Sequence, residues 1–173
     1  ISLTESAFAM GAEVDLWLGN ATYGCGNWIK TTRFETLSKL KSLIKRMKHY
    51  DAIVVPAALS DFIPEQTKGK LDSAKPITLR MKKAPKIISS LRRKHKGLLY
   101  VFKLGARLSE KELCAKATAL LKNADCVVAN DSKAMGSAKS KVAIVDKKNT
   151  EWISGSKIEI SRKILDKIAS ELN

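Results

Sequence analysis

No apolar run in the 173-residue chain approaches the ~18 residues that a bilayer-spanning helix needs, so a membrane span is excluded. The N-terminus lacks the charged, apolar and small-residue order of a signal peptide, and the expected location is cytoplasmic. Cysteine is scarce: Cys25, Cys114 and Cys126 are an odd, widely spaced set with no CxxC pair, which argues against both a disulfide framework and a zinc site. Histidine is scarcer still. His49 and His95 both stand beside lysines and read as surface residues, leaving no candidate for a Ser-His-Asp triad or a histidine metal site. Neither GxGxxG nor GxxxxGK[ST] occurs, so the dinucleotide fingerprint and the phosphate loop of nucleotide hydrolases are both missing.

What is present is the material of a globular core: 45% hydrophobic and 28% charged residues in 19.0 kDa, suited to one domain. The chain opens at Ile1 inside what reads as a helix over 1–10, followed by a strand over 12–18, a Gly/Asn-rich loop over 19–27 and a short extended piece over 28–31. Thr32 and Glu35 have the spacing of a capping box, with the apolar stripe Leu37, Leu40, Leu43, Ile44 and Met47 behind them and the helix ending at Tyr50. Residues 51–58 form a continuous apolar run, expected to be a strand covered on both faces, and 60–75 a polar loop. The pattern continues with a strand at 77–81, a helix opened by Pro85 and running to Lys94, and a strand at 98–102. Ser109 and Glu112 cap a helix to Lys122, and buried strand 125–129 ends at Asn130 and Asp131. Strands at 141–145 and 151–153 flank a turn at 147–149, and a last helix spans 156–172.

Apolar strands alternating with amphipathic helices predict an α/β fold, Rossmann-like, with a mostly parallel sheet and helices on both faces. Such sheets bind ligands beyond the carboxyl ends of their strands. Three segments there, 57–61, 102–106 and 130–132, are expected to line one crevice.

The net charge is +15, and residues 68–96 hold eleven Lys or Arg against one acid, Asp72. A solvated basic face is one account of that run and capture of phosphates the other. The stretch contains no aromatic side chain, and aromatics are what stack bases, so a small phosphorylated ligand fits better than nucleic acid.

The segment Asp51 to Lys70 (DAIVVPAALSDFIPEQTKGK), then Ala84-Pro85-Lys86-Ile87, Val101-Phe102-Lys103 and Lys122 to Asp131 (KNADCVVAND), in that order, resembles the phosphopantothenate cysteine ligase domain of coenzyme A biosynthesis, in its archaeal branch. The resemblance runs from Gly11 to the C-terminal helix and makes 1–173 one such domain. It implies a reaction in which a nucleoside triphosphate, CTP favoured and ATP possible, activates the carboxylate of 4'-phosphopantothenate with release of pyrophosphate, after which the amine of cysteine attacks. It also implies Mg²⁺, a homodimer, and a flavin-dependent phosphopantothenoylcysteine decarboxylase as a fused or separate partner, with no nucleic acid. The metal ligands stay unassigned.

Carried over position by position, the resemblance sets Ala57, Ala58 and Asp61 at the nucleotide, Lys70 as the catalytic lysine of a flap with Lys68 as second candidate, and Asp61 near the ribose or metal. Pro85, Lys86, Ile87, Phe102 and Lys122 complete the nucleotide contacts. Each also has a plainer account: Phe102 as core, Asp61 as a cap, Lys122 as a solvated helix-end charge, Ala57 and Ala58 as tight packing. The sequence departs from the family pattern at Thr118 and Gly105, at Ala138 and Ser140, and in lacking the Gly/Ser-rich loop and the strand expected before Ile1. Two other classes stand beside the ligase: a basic nucleic-acid-binding α/β module and a non-catalytic nucleotide-binding one.

Overall fold

Continuous apolar segments in this chain become strands only where a neighbour completes their hydrogen bonds, and the ladders decide which readings of the sequence hold. A computed structural model describes residues 1–57, 59–65, 69, 77–131 and 139–173. The elements run α1 (Ser2–Ala9), β1 (Asp15–Leu18), β2 (Lys30–Arg33), α2 (Leu37–Arg46), β3 (Ala52–Val55), β4 (Phe62–Pro64), β5 (Met81–Lys83), α3 (Ile87–Lys94), β6 (Leu98–Gly105), α4 (Glu110–Thr118), β7 (Cys126–Asp131), β8 (Lys139–Asp146), β9 (Thr150–Ser156) and α5 (Lys157–Leu172). None of the described helices is long and apolar enough to cross a membrane.

The central sheet has the order β3-β6-β7-β8-β9. β3, β6 and β7 are parallel, and β8 and β9 extend the sheet antiparallel. Two smaller ladders stand apart, β1 with β2 parallel and β4 with β5 antiparallel. Strand alternation divides the core. Leu99, Val101, Val127 and Ala129 face α2, α3 and α4, joined by Leu40, Ile44, Ile87, Leu91 and Leu113. Tyr100, Cys126 and Val128 face α5, joined by Ile160, Ile164 and Ile168. Helices therefore cover both faces, as expected of an α/β fold, and α1 packs on α5.

Several sequence expectations shift. α2 is capped by Thr36, whose hydroxyl accepts from Lys39 N at 3.1 Å, and not by Thr32, which pairs with Trp17 in the β1–β2 ladder. β3 is half-buried along its whole length, because β6 is the one strand it pairs with among the described residues. The loop expected over 60–75 contains β4, and the strand expected at 77–81 lies later, at Met81–Lys83, where it meets β4. α3 opens two residues after Pro85, with Lys86 at its N-cap, and α4 stops at Thr118. The antiparallel β8–β9 pair reflects the short turn after Asp146, whose Oδ1 accepts from the amides of Lys148 (2.7 Å) and Asn149 (2.9 Å); a turn that tight reverses a strand and cannot carry a parallel crossover.

His95 is 2% exposed and hydrogen-bonds the carbonyl oxygen of Leu98 through Nε2 at 2.9 Å, so it is a core histidine. The capping boxes at Ser109–Glu112 and Ser156–Glu159 form as their spacing predicts.

Asp146 also ties the β8–β9 turn to α5 through Lys167 Nζ at 2.8 Å. Burial would raise its pKa, but Lys167 and the two backbone amides outweigh burial and hold it at about 2. A depressed carboxylate contributes stability above its unfolded value of about 3.9, and that contribution is lost as pH falls toward the folded value. Asp146→Asn is expected to lower unfolding free energy at pH 7 by about 1–2 kcal/mol and to flatten the loss of stability between about pH 4 and pH 2, measured by urea denaturation across pH. An unchanged acid limb would refute this account.

Candidate functional site

Because β3, β6 and β7 are parallel neighbours, their carboxyl ends share one edge, with Val55 in register with Val101 and Gly105 with Asp131. The chain leaves β3 through Pro56 and Ala57, both exposed, and reaches exposed Asp61 just before β4. The β4–β5 ribbon then folds back. Phe62 pairs with Lys83, and Ala84 N donates to the carbonyl oxygen of Asp61 at 2.8 Å. That bond closes the base of the ribbon and brings Asp61 beside Ala84, Pro85 and Lys86, residues more than twenty positions away in sequence.

Lys86 is exposed and forms the N-cap of α3 without a side-chain cap bond. First-turn amides of a helix left in that state favour an anion, because they lack intrahelical acceptors and sit at the positive end of the helix dipole. The other helices that leave carboxyl ends of the central sheet's strands, α4 after β6 and α5 after β9, are both closed by capping boxes. In α4, Ser109 Oγ accepts from Glu112 N at 3.3 Å, and Glu112 Oε2 accepts from Ser109 Oγ at 2.7 Å and from Ser109 N at 2.9 Å; the two bonds to Oε2 lower the pKa of Glu112. The positive end of α3 is thus the open one.

The remaining positions divide. Ile87 is buried in the core against the sheet, so only its backbone faces the edge. Phe102 is half-buried and packs on the α5 side. Lys122 follows α4 at the opposite edge, since Asp125 N bonds the carbonyl oxygen of Leu99 at the start of β6; the structure does not bring it to Asp61 and Lys86. Ala58, Lys68 and Lys70 lie outside the described residues.

Two residues at this edge carry signals the sequence did not assign. Lys103 stands near the end of β6, paired with Ala129 and half-buried. Arg107 holds φ 56°, a left-handed conformation uncommon outside glycine, in the turn between β6 and α4. Its departure partner Gly105 has a packing reason: a Cβ there would lie 2.8 Å from Leu113 Cδ1. Among the described residues no three His, Cys, Asp or Glu side chains converge as a metal cage. Asp61 is an exposed carboxylate at this edge.

Residues 1–172 match the family described as the DNA/pantothenate metabolism flavoprotein C-terminal domain. The "Coenzyme A biosynthesis bifunctional protein CoaBC" of Methanocaldococcus jannaschii is 38% identical over 134 residues, 75% of this chain and 33% of that protein. The protein of the same name from Thermococcus kodakarensis is 32% identical over 180 residues, 99% of this chain and 44% of that protein. The chain thus spans less than half the length of these curated relatives. Among solved structures, a DNA/pantothenate metabolism flavoprotein from Streptococcus pneumoniae superposes with TM-score 0.85 at 23% identity, covering 98% of this chain and 86% of that one. A Cab2 variant in complex with phosphopantothenate-cysteine superposes with TM-score 0.63 at 20% identity, covering 83% and 53%. These two share the fold.

Gly105→Ala is expected to push α4 away from the end of β6 and to cost about 1–3 kcal/mol as an overpacked site, read from the urea midpoint. Wild-type stability would mean that Leu113 and Leu108 yield freely.

Proposed function

The chain belongs to the DNA/pantothenate metabolism flavoprotein C-terminal domain family, and on that premise we propose that it is a ligase joining 4'-phosphopantothenate to L-cysteine in coenzyme A biosynthesis, with CTP as the activating nucleotide. The observation that carries this reading is the 2.8 Å bond from Ala84 N to Asp61 O, which gathers Asp61, Lys86 and the uncapped start of α3 at the carboxyl edge of the parallel strands. That edge is where α/β sheets bind nucleotides. The names of the curated relatives, bifunctional proteins of coenzyme A biosynthesis, support the same pathway, and we read a flavin-dependent decarboxylase as the fused or separate partner.

The chemistry asks for such a site. A substrate carboxylate oxygen attacks the α-phosphorus of the nucleotide, pyrophosphate departs, and an acyl-nucleotidyl anhydride forms. The cysteine amine then attacks the acyl carbon, the C–O bond to the nucleotide breaks, and a nucleoside monophosphate and a proton leave. Both partners in the first step are anionic, so positive groups must offset their repulsion as they meet. The amides of α3's first turn and Lys86 would meet the triphosphate, with Ala57 and Pro85 shaping its seat, and Lys70 would close over the activated acyl group. Mg²⁺, when bound, supplies further neutralisation of the phosphates, and Asp61 is the carboxylate suited to hold it or the ribose.

Ile77, Leu79, Met81 and Phe62 on and beside the β4–β5 ribbon are exposed by half or more (50, 61, 53 and 55%). Such alternating apolar residues along an extended segment form a face that a second copy of the chain would cover, and we place the homodimer contact there. Leu79→Glu with Met81→Glu is expected to convert the protein to monomer in analytical ultracentrifugation, whereas a persisting dimer would move the interface elsewhere.

The deciding experiment is pyrophosphate release by the full-length protein with 4'-phosphopantothenate, cysteine and Mg²⁺, comparing CTP with ATP. Release that requires phosphopantothenate and runs faster with CTP is expected, and Asp61→Ala and Lys70→Ala are each expected to reduce amide formation at least a hundredfold without altering the thermal midpoint. Nucleotide binding without turnover would favour the non-catalytic module instead.

A further inference from the structure

α2 and α3 lie side by side on one face of the sheet, and their facing flanks enclose a groove of about 410 Å³ lined by Lys41, Ile44, Lys45, Ser90, Arg93 and Lys94. Four of these six are cations and none is an acid. None of the four cations makes an ion pair among the described residues. Their polar contacts stay within the groove: Lys94 Nζ donates to the carbonyl oxygen of Lys45, and Arg93 Nη2 donates to Ser90 Oγ at 3.2 Å.

Helix dipoles explain part of this. Lys45 lies in the last turn of α2, and Arg93 and Lys94 in that of α3, where cations are favoured. They do not explain Lys41, which stands a turn earlier, nor why the two cationic flanks face one another. Like charges gathered across a groove repel, and the sequence offers no local relief, since residues 36–50 and 77–97 contain no Asp or Glu. The groove is distinct from the crevice, though Ser90 in its lining donates to the carbonyl oxygen of Lys86 at 3.2 Å. It lies toward the C-terminal end of α3, whereas Asp61 and Lys86 stand at its beginning.

We propose that this groove is a second anion site, taking a small molecule with two or three linked phosphates, as in a condensed phosphate or the polyphosphate of a nucleotide. Arg93 presents a planar fork matched to a phosphate, while Lys41 and Lys45 act as point charges. A nucleic acid is the weaker occupant, because the lining holds no aromatic side chain on which bases would stack.

The test is calorimetric titration of the full-length protein with inorganic tripolyphosphate, comparing Lys41→Gln/Arg93→Gln with Lys82→Gln/Lys86→Gln, which removes the same net charge near the crevice. The expected result is two saturable sites per chain, one that the groove variant weakens at least tenfold and the crevice variant leaves within twofold, and one, at the crevice, that only the crevice variant weakens. Equal binding by the groove variant, loss confined to the crevice variant, or saturation by a long DNA duplex but not by tripolyphosphate would each overturn the proposal. The result is independent of ligase turnover, so a failed amide assay leaves it standing.

Discussion

The sheet's parallel half depends on one carboxylate. Asp125 Oδ2 accepts from Arg92 Nη1 and from the amide of Leu99, each at 2.8 Å, so a single side chain joins the last turn of α3, the start of β6 and the entry to β7. Arg92 completes the clasp by donating from Nη2 to the carbonyl oxygens of Gly97, at 2.9 Å, and His95. The backbone closes on the same point: Leu98 N bonds the carbonyl oxygen of Asp51 ahead of β3, and a Cβ on Gly97 would stand 2.2 Å from that oxygen. Only glycine permits the approach. With the amino-terminal edge pinned in this way, the registers of β3, β6 and β7 are set, and their carboxyl ends leave the sheet on the same edge, β3 opposite Val101 and β7 opposite Gly105.

This geometry explains which features were legible in the sequence. Local signals with a local cause succeeded: Ser109 with Glu112 and Ser156 with Glu159 cap helices because both bonds of a capping box are made within four residues. Signals whose meaning depends on a distant partner did not. Thr32 has the same spacing to Glu35, but the ladder to Trp17 claims its backbone and leaves Thr36 to cap α2. His95 looked solvated among lysines, whereas the tight passage at Gly97 turns its ring inward. The strand at Met81–Lys83 is defined by β4, a three-residue partner too short to carry a periodic signal of its own.

The candidate site divides along the same line. Asp61 and Lys86 could be named one by one from the segments that hold them, but their meeting is made by the Ala84–Asp61 bond at the base of the ribbon, which no spacing rule contains. Lys122 shows the converse. A lysine just ahead of a strand is easily assigned to a ligand edge, yet α4 runs back along the sheet and delivers it to the amino-terminal side, near the Asp125 clasp. In an α/β unit each helix reverses the edge, and a residue's distance from a strand end in sequence says little about which edge it occupies until the helix is counted.

That reversal also bears on the charge. α3 is eight residues long, about 12 Å at 1.5 Å per residue, and it reaches from the uncapped amides at the crevice to the cationic groove between the helices. Two anions held at its ends would be separated by somewhat more than a Debye length of about 8 Å at physiological salt. Their repulsion would therefore be small in ordinary buffer and would grow as salt is lowered. Any thermodynamic coupling between the two sites must be mutual, so an anion in the groove that weakens nucleotide binding at the crevice is itself weakened to the same degree by the nucleotide. A basic surface larger than one triphosphate needs follows naturally if the field of residues 77–97 serves both ends of this short helix.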